Sequence, residues 1–210
     1  MVDYDIEHIA ARLLKARGDE CRILVAIAGP PASGKSTLSE ALSNHLNQSI
    51  GLRSVVVPLD GFHLDNDCLD HLKLRHRKGA PETFDFDSFS HSLRRLARSD
   101  QPIYFPTFDR ALDKVVAGRS AVHPEDQVIL VEGNYLLLDE QPWSKLKPLF
   151  NYSIFLNIPL DVLQSRLIQR WLDHDHTLEE AKARALSNDI PNARRVFDRL
   201  LKADQVMGLD

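Results

Sequence analysis

GPPASGKST, residues 29–37, is the stretch that decides how this chain folds. It satisfies G-x-x-x-x-G-K-[ST] at every position: Gly29, then Pro30, Pro31, Ala32 and Ser33, then Gly34, Lys35 and Ser36, with Thr37 following. Each fixed position has a mechanical reason. Glycines let the loop fold back so that its N–H groups converge on phosphate oxygens, a lysine reaches the outer phosphates, and a serine hydroxyl can ligate Mg²⁺. The flanks agree with this reading. CRILVAIA (21–28) is an apolar run with branched residues, and after the loop Leu38, Ala41, Leu42 and Leu46 recur at helical spacing. Strand, glycine loop and helix in that order put an anion at a helix N-terminus, where unpaired N–H groups and the helix dipole favour it. A chance glycine-rich turn would not come with both neighbours. The expected ligand is therefore a nucleoside triphosphate, held by residues 29–37 with Mg²⁺.

Other apolar runs extend the pattern. SVVVPLDGFH (54–63) is continuous and valine-rich, as in strands of a parallel sheet buried on both faces, and is expected to end at Asp60. Ligands of open α/β sheets gather at the carboxyl ends of strands, so Asp60 is read as a catalytic or acceptor-binding acid rather than a turn former. DQVILVEGNYLLLD (126–139) supplies a strand over 128–131 ending in Glu132-Gly133, and an acid there is the second element of a phosphate site, holding Mg²⁺ with Ser36. YSIFLNIP (152–159) reads as a fourth strand, followed by a helix to about Trp171 on which Arg166 and Arg170 share a face. A polar segment containing Asp173, His174, Asp175 and His176 follows, and it reads as a solvated turn of a lid rather than a metal site. Arg166 and Arg170 are expected to be lid arginines that stabilise a transferring phosphoryl group.

Between these elements the acceptor side is sketched only loosely. Arg75, His76, Arg77 and Lys78 form a basic run, by default a solvated one, that could instead face an anionic substrate. Phe86, Phe89, Leu93 and Leu96 mark a helix, and PIYFPTFDRALDKVV (102–116) is extended but interrupted by Pro106, as an edge strand or rim loop would be. His63, Arg77, Lys78 and Arg110 are the substrate-side candidates beside Asp60. Residues 5–17 form a packing helix, Pro191 is expected to break the last helical region, and a short strand is expected over 205–209. Asn188, Asp189 and Asn192 make a polar knot that either lies near a nucleotide base or caps a helix.

Composition narrows the class. The chain has 210 residues, 43% hydrophobic and 27% charged, with a net charge of -4, which suits one α/β domain and small-molecule partners rather than nucleic acid. Cys21 and Cys68 have no disulfide or metal-site spacing, the N-terminal stretch lacks the pattern of a signal peptide, and no apolar run is long enough to span a bilayer. A cytoplasmic protein is expected, with a homodimer as the base expectation for assembly.

Taken together, the stretches GPPASGKST, LDGFHLDN, RKGAPETFD, FPTFDR, VEGNYLLLD, RLIQRW and NDIPNA resemble the P-loop kinases that include uridine kinase, pantothenate kinase and phosphoribulokinase. Within that group the chain is most similar to bacterial nucleoside/nucleotide kinase-like proteins described as fructose transport system kinases. The resemblance implies an α/β three-layer sandwich with a parallel sheet of about five strands and a small helical lid. One domain would span 1–210, its lid around 165–182 and its acceptor-side region around 61–120. It implies Lys35 and Ser36 at the phosphates and metal, Asp60 at the acceptor hydroxyl, Glu132 at the metal, and Arg166 and Arg170 in the lid. Around the acceptor the chain reads FPTFDR where uridine kinases place tyrosine and histidine groups for the base, and pantothenate kinase acceptor residues are not matched either. The implied activity is ATP-dependent phosphorylation of a hydroxyl on a sugar, nucleoside or vitamin-like molecule. A non-catalytic ATP sensor associated with sugar transport is the alternative. A guanine-reading N-K-x-D and an L-S-G-G-Q-like signature are both absent from the sequence, which argues against a GTPase switch and an ABC-type ATPase.

Overall fold

β1 (Ile23–Ala28) is buried along its whole length, as its unbroken apolar run requires, and the other strands assemble on either side of it. The computed structural model describes residues 4–96, 99–174 and 176–208. In chain order the remaining elements are α1 (Ile6–Arg17), α2 (Lys35–His45), β2 (Ser54–Pro58), α3 (Asn66–His71), α4 (Phe86–Leu96), β3 (Ile103–Asp109), β4 (Lys114–Val122), β5 (Val128–Gly133), β6 (Tyr152–Asn157), α5 (Leu160–Leu172), α6 (Leu178–Arg184), α7 (Ile190–Asp198) and β7 (Gln205–Gly208). Five strands form one parallel sheet in the order β2-β5-β1-β6-β7.

Side-chain alternation along β1 builds two apolar layers. Ile23, Val25 and Ile27 point to one face, where Ile9 and Leu13 of α1, Leu38 and Leu42 of α2, and Leu163 and Leu167 of α5 cover them. Leu24, Ala26 and Ala28 point to the other, against Phe89 and Leu93 of α4, Phe105 of β3 and the aromatic segment from Tyr135 to Trp143. The result is the expected three-layer α/β sandwich. Each fully buried aliphatic or aromatic side chain contributes about 1.5–3 kcal/mol, so the central strands dominate stability.

Several local expectations need correction. β2 stops at Pro58, and Asp60 lies in a 3₁₀ turn, Leu59–Phe62, rather than in the strand. Proline brings no N–H to continue a ladder, which ends the pairing two residues early. Residues 102–116 are not a lone edge strand or loop: β3 pairs antiparallel with β4 in a separate two-stranded hairpin, and Pro106 sits at its register shift between Phe105 and Thr107. Nor does Pro191 break the last helical region. The chain runs from α6 through one π turn, Ala185–Asp189, directly into α7, where Pro191 occupies the first turn and needs no acceptor for a missing N–H. Asp175 of the lid turn and Leu209 of the last strand lie outside the described residues. Among the described residues no helix is long and apolar enough to cross a membrane.

The hairpin lies directly on the turn that carries Asp60. A Cβ built on Gly61 would overlap the backbone carbonyl of Pro106, so the two segments approach to a distance that only glycine permits. Because the obstacle is backbone, no side-chain rearrangement relieves it. Gly61→Ala is expected to destabilise the protein by about 1–3 kcal/mol, as overpacking does, lowering the denaturation midpoint by chemical unfolding. An unchanged midpoint would mean that the hairpin does not rest on this turn.

Candidate active site

The loop between β1 and α2 has the geometry its sequence demands. Gly34 takes φ 97° just before α2, a conformation that favours glycine, and Ala32 is held at φ 63° within the loop. Lys35 is buried and donates from Nζ to the Pro30 carbonyl at 2.9 Å. Burial pushes its ammonium down to about 8, against the opposing pull of the Glu132 and Asp60 carboxylates. A cation left in this position, at a helix N-terminus, is matched to anionic phosphates.

Glu132 is brought there by strand register. β5 pairs with β1 so that Glu132 lies opposite Ile27 and Gly133 opposite Ala28, the last residue before the loop. The Ser36 hydroxyl donates to the Glu132 carboxylate, with both oxygens at 3.0 Å. Burial raises the Glu132 carboxyl above its ordinary value, with Lys35 opposing the shift. Two adjacent oxygen donors fit a hard cation such as Mg²⁺, which takes only one or two protein ligands and completes its shell with water and substrate phosphates. Among the described residues, no cluster of three or more acids, histidines or cysteines forms a cation cage.

The acceptor-side candidates stand nearby, with the Asp60 and Arg110 charges acting on both Lys35 and Glu132. Asp60 is about one-third exposed, with Arg110 at 3.6 Å. His63 Nδ1 lies 2.8 Å from the Asp60 carbonyl, and its ring is held between Phe84 and Phe108 at centroid distances of 4.0 and 4.9 Å. Burial holds this imidazole below its ordinary value, with Asp60 opposing. Lys78 donates to Asn66 at 2.7 Å and to Asp113 at 2.8 Å, and its ammonium lies over the Phe108 ring. Arg77 is turned elsewhere. It donates to Asn188 at 2.8 Å and Asn192 at 3.3 Å and pairs with Glu82, so it fastens the basic run to the helical region beyond the lid. Asn188 also donates to the Lys78 carbonyl at 2.9 Å, and Asn188, Asp189 and Asn192 all line the cleft, while no side-chain bond caps the start of α7.

From α5, Arg166 donates to the Ala32 carbonyl of the phosphate loop at 3.2 Å. Arg170, one turn on, is largely buried at the cleft with its Nε unpartnered. Burial and the Arg110 charge lower its guanidinium, while Asp189 and Asp60 oppose. The whole cleft measures about 910 Å³ and includes Asp60, His63, Lys78, Arg110 and Arg170, but not Arg77. It also includes Asn134, Trp171 and Arg184, which the sequence reading did not select. Asn134 follows Glu132-Gly133 directly, so its place at a strand end was a usable signal. Trp171 and Arg184, stacked with the guanidinium 4.8 Å from the ring, carry no local signal because α5 and α6 meet only in the folded chain.

A phosphate loop on β1, a strand-end acid beside its serine, and arginines from a helical lid define a P-loop phosphotransferase fold. Residues 24–202 match the model of the Phosphoribulokinase / Uridine kinase family, and this chain belongs to that family, whose members are ATP-dependent kinases. A Schizosaccharomyces pombe protein described as a "Putative uridine kinase" is 36% identical over 94% of this chain and 86% of its own length. The "ATP-dependent kinase YFH7" of Lachancea thermotolerans is 30% identical over 92% of this chain and 67% of its own. The crystal structure of a "putative fructose transport system kinase" from Silicibacter sp. TM1040 superposes with a TM-score of 0.92 at 42% identity, covering 98% of this chain and all of the other.

Lys35 sets an expected pH dependence. The free protein loses the Lys35 proton near pH 8, whereas bound phosphates favour the charged form, so binding above about pH 8 must be accompanied by proton uptake. ATP affinity is expected to be flat below that point and to weaken by up to about tenfold per pH unit above it. Titration with a fluorescent ATP analogue across this range measures the slope. Lys35→Met should bind weakly and abolish it, and an equally steep slope in that variant would assign the proton elsewhere.

Proposed function

We propose that this protein transfers the γ-phosphoryl group of ATP to a hydroxyl of a small molecule, a sugar, nucleoside or vitamin-like compound, with Mg²⁺ as the metal. The observation that carries this reading is that Asp60 lines one cleft with Pro31 of the phosphate loop and Arg170, is near enough for its carboxylate to act on the buried Lys35 ammonium, and remains open to solvent. A carboxylate so placed can orient a hydroxyl and take its proton as the oxygen attacks the γ-phosphorus. The bond from that phosphorus to the bridging oxygen breaks, and ADP leaves.

Phosphoryl transfer proceeds through a loose transition state, so positioning and charge carry the rate. The loop N–H groups and Lys35 hold the β- and γ-phosphates. Ser36 and Glu132 would hold Mg²⁺, which neutralises charge between the phosphates when bound. Arg166 ties α5 to the loop, and Arg170, which lines the cleft one turn on, would meet the equatorial oxygens of the group in transit. Arg110 pairs with the Asp60 carboxylate at 3.6 Å. Neutral His63, favoured by the direction of its shift, donates from Nδ1 to the Asp60 carbonyl, which leaves Nε2 to accept one hydrogen bond from the acceptor.

Asp60→Asn separates this reading from a sensor that binds ATP without chemistry. In the kinase reading, acceptor-stimulated ATP consumption falls by about 10²- to 10⁴-fold while ATP binding stays nearly unchanged. Mass detection of the phosphorylated product across a panel of sugars, nucleosides and pantothenate-like compounds identifies the acceptor. Full activity in the variant would remove Asp60 from the reaction, and failure of every acceptor to stimulate ATP consumption would favour the sensor.

A further inference from the structure

Tyr4 stands at the phosphate loop but belongs to none of the elements that build it. It directly precedes Asp5, the N-cap of α1, and its ring packs on the apolar layer that Ile9 and Leu13 of α1 share with Leu38 and Leu42 of α2. That packing carries its hydroxyl to the start of α2. A Cβ built on Gly34 would stand 3.7 Å from Tyr4 Oη, and apart from the residues flanking Gly34 in the chain no other atom of the described residues comes within 4 Å of that point. The bare side of Gly34 is thus open except for one phenol. Arg166 reaches the same place from α5: it donates to the Ala32 carbonyl of the loop, and its charge acts on the Tyr4 hydroxyl.

The hydroxyl is not satisfied there. Tyr4 Oη is shielded from solvent and has no hydrogen-bond partner among the described residues, although the ring itself is only partly buried. An O–H taken out of water and left without an acceptor forfeits the bond it made to water, so a group of this kind calls for an acceptor from outside the chain. Burial raises the phenol above its ordinary value, with Arg166 opposing, and the group is therefore a donor at neutral pH.

An anion at the N-terminus of α2 is the acceptor that fits. The loop N–H groups converge on phosphate beside Gly34, and an ionised phosphate oxygen makes a stronger bond to a hydroxyl than a neutral acceptor does. The side of approach says which phosphate it is. Tyr4 does not line the cleft that holds Asp60, Arg110 and Arg170, so it meets the nucleotide outside the space where transfer takes place.

We propose that Tyr4 is a further nucleotide-binding residue, its hydroxyl donating to a phosphate oxygen that stays with ADP. This deepens the ATP site, rests on the triphosphate reading of the loop, and is independent of the acceptor.

Tyr4→Phe removes the hydroxyl and keeps the ring. Calorimetry on the intact wild-type and variant proteins, with ADP and with inorganic tripolyphosphate in excess Mg²⁺, should show both ligands bound about tenfold more weakly by the variant, the scale of one hydrogen bond to a charged group. The denaturation midpoint of the ligand-free variant should not fall, because the hydroxyl bonds to nothing in the free protein. A lower midpoint alongside weaker binding would assign the effect to loop packing and overturn the proposal. Equal ADP affinities in the two proteins also overturn it, with the nucleotide reading intact, and mean that water satisfies the phenol. Weakened ADP with unchanged tripolyphosphate overturns it by placing the hydroxyl on the nucleoside. If the wild-type protein binds neither ligand, the nucleotide reading of the loop fails and the proposal with it.

Discussion

The pairing of β5 with β1, Gly133 opposite Ala28, is the constraint on which the site depends. It sets the strand-end acid beside the residue that opens the phosphate loop, and from there Ser36 and Glu132 can meet only because α2 begins at the same level. A slip of one residue would turn Glu132 to the opposite face of the sheet and place an apolar neighbour at the loop. The register is secured by burial rather than by any polar contact. Every residue of β1, and all of β5 but Glu132 itself, is buried, so the one polar position in the pair is held in place by its apolar neighbours.

The same arrangement explains the unusual state of Lys35. An ammonium buried at the foot of the cleft is unfavourable without an anion, and the two nearby carboxylates offset only part of that cost. Such a site is complete only with phosphate in it. Arg170 repeats the logic from the lid, as a largely buried guanidinium with an unused donor and a like charge, Arg110, close by. The cleft thus holds cations poised for negative charge at its inner end, and this is the electrostatic preorganisation that phosphoryl transfer requires.

How much of this could be read from the chain depends on how local each signal is. The phosphate loop, its strand and helix, Glu132 at a strand end and the α4 face are all written in contiguous residues with a fixed period, and the structure has them where the pattern puts them. The β3–β4 hairpin was legible only in its first half. Pro106 reads as an interruption in isolation, whereas in the folded chain it sits at the register shift while the pairing resumes beyond it. Arg77 and Lys78 are neighbours in the sequence with opposite fates, one fastened to Asn188 and Asn192, the other facing the cleft. No periodicity distinguishes them, because the difference is made by residues more than a hundred positions away. Trp171 and Arg184 were invisible for the same reason.

Asn188 receives from Arg77 and donates to the Lys78 carbonyl, and it sits in the π turn that joins α6 to α7. The basic segment and the turn behind the lid are therefore two halves of one hydrogen-bonded unit drawn from distant parts of the chain. Recombination between relatives is constrained accordingly. A segment around 75–79 moved alone into another member of the family would arrive without the side chain that receives it, leaving a half-buried carbonyl and guanidinium without partners. Exchange of this stretch keeps its hydrogen bonds only where both segments move together.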